Sequence, residues 1–121
     1  MNEVCLRGAR LEGSDFTFSQ LRQTDLCDSD LRDSRLDRAD LDGNLLIRSD
    51  LRGASLRSTS LMSSVLQGAF LQNADLSNSN LFRADLGEAL LDNDSLLEGS
   101  YQQNVKWQPR APEGNRQGGE A

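Results

Sequence analysis

Residues 39–73 read, in blocks of five, ADLDG NLLIR SDLRG ASLRS TSLMS SVLQG AFLQN. The third residue of every block is leucine: Leu41, Leu46, Leu51, Leu56, Leu61, Leu66 and Leu71. Followed outward, the same phase puts a large apolar residue at every fifth position. It runs from Leu6, Leu11, Phe16, Leu21, Leu26, Leu31 and Leu36 through Leu76, Leu81, Leu86, Leu91 and Leu96 to Tyr101. On a helix, five residues advance about 140° past a full turn, so these leucines would spiral around the rod. In a straight strand an odd period sends them to alternate faces. A chain that bends after every five residues, turning the middle of each short side toward a common axis, satisfies the pattern. The expectation is an all-β solenoid.

The other columns agree. Two places before each leucine the residue is small, as in Ser34, Ala39, Ser49, Ala54, Thr59, Ser64, Ala69 and Ala74. Strand alternation turns that position inward beside the leucine, where little space remains. The places on either side of the leucine are rich in Asp, Arg, Gln and Ser, and point outward. The fifth place carries Gly43, Gly53, Gly68, Asn73 and Asn78 among others, residues suited to a corner.

Segments such as Ala-Asp-Leu-Asp-Gly at 39–43, Ser-Asp-Leu-Arg-Gly at 49–53 and Ala-Asp-Leu-Ser-Asn at 74–78 resemble the pentapeptide repeat family over residues 4–103. The resemblance implies a right-handed quadrilateral parallel β-helix of about five coils, four repeats to a coil, in a rod about 24 Å long. Residues alone leave the number of sides open. At a spacing of twenty, opposite charges such as Arg10/Asp30, Glu12/Arg32, Asp15/Arg35, Arg22/Asp42, Asp28/Arg48 and Asp37/Arg57 outnumber like pairs such as Asp30/Asp50 and Arg32/Arg52. At fifteen the excess is nearly as large. One domain is expected: residues 1–103 form the solenoid, and 104–121 a cap segment and disordered tail. Val105 and Trp107 are the candidates to fold over the last coil. A one-residue insertion within the repeat is expected to throw every later leucine out of phase.

The expected core is Leu26, Leu31, Leu36, Leu41, Leu46, Leu51, Leu56, Leu61, Leu66, Leu71, Leu76, Leu81 and Leu86. Asn44 and Asp94 stand where the small residue belongs, and a buried Asn must find a hydrogen-bond partner. Between Gly53 and Ala74 the only charge is Arg57. There the four-sided arrangement stacks Leu45 on Val65, sets Ile47 beside them and stacks Phe70 with Leu90 on the next side. Those five form a candidate protein interface. Met62, Phe82 and Leu97 read as ordinary scattered surface hydrophobes. Cys5 and Cys27, the only cysteines, are expected outward on adjacent coils, about 8 Å apart and unbridged.

Chemistry is sparse. The chain has no histidine, which removes the commonest general base and metal ligand. Asp40 and Asp42 project from one side like a carboxylate pair, but they fit a solvated charge ladder better. Asp40-Leu-Asp-Gly resembles a fragment of a calcium loop whose first and closing ligand places hold Arg38 and Ser49. No catalytic, cofactor-binding or metal-binding residue is assigned, no cofactor is expected, and the chain is not expected to be an enzyme. A net charge of −6 speaks against nucleic-acid binding. No secretory signal or membrane-spanning run is present, so a cytoplasmic location is expected, without membrane contact. The expected function is a non-enzymatic structural or interaction module whose flat faces meet a protein partner or a second copy. The alternative that the resemblance implies is an acidic DNA mimic regulating a type II topoisomerase such as gyrase. Against it, many acidic groups of the first coils have arginine neighbours, which weakens a single-sign field.

Overall fold

A computed structural model describes residues 4–92, 95 and 97–106. Its backbone decides the number of sides. Parallel bridges join Cys5 to Asp25, Arg10 to Asp30, Asp15 to Arg35 and Gln20 to Asp40, and the series continues at the same interval to Phe70 and Leu90. Twenty residues therefore make one coil, and four five-residue rungs make its walls. Wall 1 holds residues 5–7, 25–27, 45–47, 65–67 and 85–87. Wall 2 starts at 10, wall 3 at 15 and wall 4 at 20, each recurring at the same interval.

Each rung spends its backbone groups in a fixed way. The leucine N–H reaches the next coil, as in Leu31 N to Asp50 O at 2.8 Å. The residue before the leucine donates to the preceding coil, as in Asp50 N to Ser29 O at 2.9 Å. The leucine carbonyl closes the corner by accepting from the residue three places on, as in Ala54 N to Leu51 O at 3.0 Å. That turn requires a left-handed third residue. At Gly53 the φ is +73°, and an added Cβ would fall 2.3 Å from the Asp33 carboxylate of the coil before. Other corners accept side chains at similar angles, including Asp28, Arg38, Arg48 and Ser58, so the corner column is broader than Gly and Asn.

The thirteen leucines from Leu26 to Leu86 are all buried. Burying a leucine contributes on the order of 1.5–3 kcal/mol before conformational entropy is subtracted. In the first coil Leu6, Leu11, Phe16 and Leu21 are only half-buried, because nothing among the described residues stacks beneath them. Small-column serines satisfy themselves, Ser34, Ser49 and Ser64 each donating to the carbonyl three residues earlier. Asn44 is fully buried, and its Oδ1 accepts the Thr24 N–H. The Asn thus finds the backbone partner its position demands, while its Nδ2 has none among the described residues. Asp94 lies outside the described residues.

The repeat does slip once. Tyr101 bridges Asn80 and Lys106 bridges Asp85, so here the coil spans one residue more. Leu97, read from the sequence as a surface residue, packs on the core. Tyr101, read as inward, is 50% exposed and stacks on Phe82 with ring centroids 6.1 Å apart. Ser95-Leu-Leu97-Glu-Gly99 places a small residue, a leucine and a corner glycine at the template's spacing, one step out of the earlier phase. The added residue falls between the bridged Leu90 and Tyr101, and beyond Leu90 the described Leu97 and Val105 still pack on the core, so the winding continues past it. Leu96 and Trp107 lie outside the described residues. Val105 packs against the core, and Lys106 continues the winding.

Candidate functional site

The outward residue before each leucine does more than face water. Where it is Asp or Asn, its side-chain oxygen accepts the N–H two residues on: Asp25 from Cys27, Asp30 from Arg32, Asp40 from Asp42, Asp75 from Ser77, Asn80 from Phe82 and Asp85 from Gly87. The ladder between coils leaves this N–H unused, so the aspartate supplies its acceptor. The recurrent Asp-Leu of the sequence is thereby a structural pair, a role that reading the column as merely outward missed.

Arginine completes the pattern. Arg32 lies 2.7 Å from both Glu12 and Asp30, Arg48 is 2.8 Å from Asp28, and Arg52 is 2.5 Å from Asp50. Like charges stacked at Asp30 and Asp50 are separated by these guanidinium groups. Hydrogen bonds from Arg48, Arg32 and Arg52 hold Asp28, Asp30 and Asp50 below the usual carboxylate range, and those from Cys27 and Thr17 do the same for Asp25 and Asp15. A carboxyl whose folded pKa lies below its unfolded one contributes stability above the unfolded value and loses it as pH falls through the folded one. The melting temperature should therefore hold from neutral pH to about 5 and drop below about 4. Thermal melts across that range check it, and a flat profile down to about pH 2 would show that these pairs add nothing.

Asp40 and Asp42 are tied into this framework. Asp40 accepts the Asp42 N–H and sits 3.8 Å from Arg22. Asp42 accepts the Met62 N–H and the Ser60 hydroxyl of the next coil. Among the described residues no group of three or more potential ligands is placed to hold a metal ion. Two shallow grooves lie at corners. One, of about 310 Å³, is lined by Arg32, Asp33, Arg52, Gly53, Gln72 and Asn73, and the other, of about 240 Å³, by polar residues and Met62.

Cys27 departs from expectation. It is buried, between Arg7 and Ile47 in its column and against Asp25, and burial pushes its thiol pKa up. Cys5 is exposed, and both cysteines are free.

The N–H of the residue after the leucine lacks a partner among the described residues at Arg7, Glu12, Arg22 and Asp37, and it also does so beside apolar side chains along one edge, where walls 1 and 2 meet in the middle of the rod. Leu45 bridges Val65, and Phe70 bridges Leu90. Leu45 is 37% exposed, while Ile47, Val65, Phe70 and Leu90 are partly so. Because Leu45, Val65 and Phe70 carry no acceptor, the N–H groups of Ile47, Gln67 and Gln72 have no hydrogen-bond partner among the described residues. The Gln72 Oε1 is occluded from water and also unpartnered among them. Arg52 lies over the Phe70 ring, 5.8 Å from its centroid, and carries the patch into the larger groove. The structure thus brings the five candidate interface residues onto one edge, together with three backbone donors that sequence reading did not foresee.

A family model described as pentapeptide repeats matches in eight copies, over residues 2–33, 34–62 and 59–93. A sequence search of curated proteins finds no match. Among solved structures, a pentapeptide repeat protein from Nostoc PCC 7120 is 26% identical, with 86% of each chain covered and a TM-score of 0.58. A pentapeptide repeat protein of the Arabidopsis thaliana thylakoid lumen is 30% identical, with a TM-score of 0.52 over 78% of this chain and 61% of its own. The chain thus spans about three fifths of that second protein. These likenesses carry the fold, a right-handed quadrilateral β-helix.

Proposed function

The chain belongs to the pentapeptide repeat family, and from that premise we propose that it is a non-enzymatic interaction module of about five coils, a rigid rod that presents the edge between walls 1 and 2 to a protein partner. One observation carries this reading. Several rungs leave the N–H after the leucine open, but along this edge those of Ile47, Gln67 and Gln72 stand beside the apolar Leu45, Val65 and Phe70. A partner segment with carbonyl groups and apolar side chains would satisfy both. The reading places the protein in the cytoplasm.

The topoisomerase-directed alternative needs a single-sign acidic field, and on walls 1 and 2 the carboxylates of Asp25, Asp28, Asp30 and Asp50 are held by Arg7, Arg48, Arg32 and Arg52. We expect no inhibition of gyrase supercoiling at low micromolar protein. Val65→Asp with Phe70→Asp should abolish capture of the partner from the native host while leaving the melting temperature within a few degrees, since both side chains are outward. Undiminished capture by the double variant, or supercoiling inhibition by the wild type, would overturn the reading.

A further inference from the structure

The first coil ends the described stack with its backbone unspent. In later coils the residue before each leucine turns its N–H and C=O toward the coil before, as Asp30 does to Ala9 and Leu11, and the residue after turns its C=O the same way, as Arg32 does to Gly13. The equivalent groups of Arg10 and Glu12 face out of the open end, and none has a partner among the described residues. Half-buried Leu6, Leu11 and Phe16 line the same end. A parallel edge that no described residue covers, with an apolar lining, is a template for another chain.

We propose that this end docks a second copy of the chain head to head, about a two-fold axis through Leu11. Such an axis runs the facing rungs antiparallel and makes the contact isologous. It sets Arg10 opposite Glu12 of the second copy and Glu12 opposite its Arg10, with Leu11 meeting its own copy between them. On the flanking walls Arg7 meets Asp15 and Leu6 meets Phe16. Every charged residue on these three rungs then faces an opposite charge, the arrangement that favours pairing across antiparallel strands. An axis through the corner before Arg10 would set Arg7 against Arg10, and one through the corner after Glu12 would set Glu12 against Asp15. The charges therefore select the axis through Leu11. Arg10 forms no ion pair among the described residues, and Glu12 uses one oxygen toward Arg32, which leaves the other. The Arg10 N–H stands opposite the Glu12 C=O of the second copy, and by symmetry the reverse, so two backbone hydrogen bonds can cross the contact. This contact is independent of the wall 1 and 2 edge.

Charge reversal tests the pairing on the full chain. Arg10→Glu places two acidic groups opposite each other and Glu12→Arg two basic ones, so each variant alone should dimerise about tenfold or more weakly than wild type by sedimentation equilibrium. The two mixed should form a heterodimer, because the carboxylate introduced at position 10 of one chain then faces the guanidinium introduced at position 12 of the other. The double variant should dimerise like wild type. Matching melting curves at high dilution confirm that each variant folds. A monomeric wild type, single variants that dimerise undiminished, or a mixture that stays monomeric would overturn the proposal. So would a wild-type dimer that Val65→Asp with Phe70→Asp dissolves and Arg10→Glu does not, since that assigns the contact to the edge.

Discussion

Leu56→Ala should lower the unfolding free energy by about 3–4 kcal/mol, and Leu11→Ala by only about 1 kcal/mol. Both remove the same atoms from the same column of the repeat. Leu56 is 0% exposed and sits between Leu36 and Leu76 of wall 3, with Ala54 and Ala74 of the small column nearby. Those neighbours are pinned by ladder bonds on both sides, as in Leu36 N to Ser55 O and Leu56 N to Asp75 O at 2.7 Å each, so the walls cannot collapse into the space left. A cavity then adds to the lost transfer energy. In the monomer Leu11 has a coil on one side only among the described residues, so its cavity opens to solvent at concentrations where the chain is monomeric. Against a total of about 5–15 kcal/mol for a domain, the first loss is a large fraction and the second a small one. Urea titrations with the slope fitted separately would measure both. Equal losses would mean that stability is shared along the rod and is not built from nearest neighbours.

The same bond pattern explains what the sequence could and could not convey. The leucine period and the small column depend on volume, which any single sequence displays, and from them the solenoid and its core follow. The number of sides was not legible from charge. Asp30–Arg32 and Asp50–Arg52 close within one rung, and the ion pairs between coils run at separations of 18, 20 and 21 residues, so a test at twenty alone catches only part of them. Only the backbone bridges distinguish twenty from fifteen. The slip near Leu97 was hidden because Leu96 and Leu97 are adjacent and Tyr101 keeps the old phase, while Ser95 and Gly99 mark the new one. Cys27 was misplaced because alternation gives direction and not coverage. At the candidate edge, Leu45, Ile47, Val65, Phe70 and Leu90 could be read from the sequence as apolar, but the open N–H groups beside them could not. Recognising those required knowing that Asp at the position before leucine serves the backbone two residues later.

The small column sets the tightest limit on substitution, and Ala69→Leu should be the more damaging of two changes there. Ala69 is 0% exposed, and the ladder fixes its backbone through Leu90 N to Ala69 O at 2.9 Å. Three added carbons must push aside either leucines or wall, which costs about 3 kcal/mol or more in a core this close-packed. Asn44 shows how a larger side chain is admitted. Its Oδ1 lies 2.5 Å from the Thr24 N–H, where the small residues of other rungs leave the corner bond to the preceding leucine carbonyl. A polar side chain can exchange one backbone bond for another, and leucine has nothing to exchange. Ala69→Ser should therefore be nearly neutral, within about 1 kcal/mol, its hydroxyl donating to Leu66 as Ser64 donates to Leu61 at 2.7 Å. Denaturant titration of the pair decides the matter. If the leucine variant kept wild-type stability, the inner column would be wider than its alanines and serines indicate, and Asn44 would require a different account.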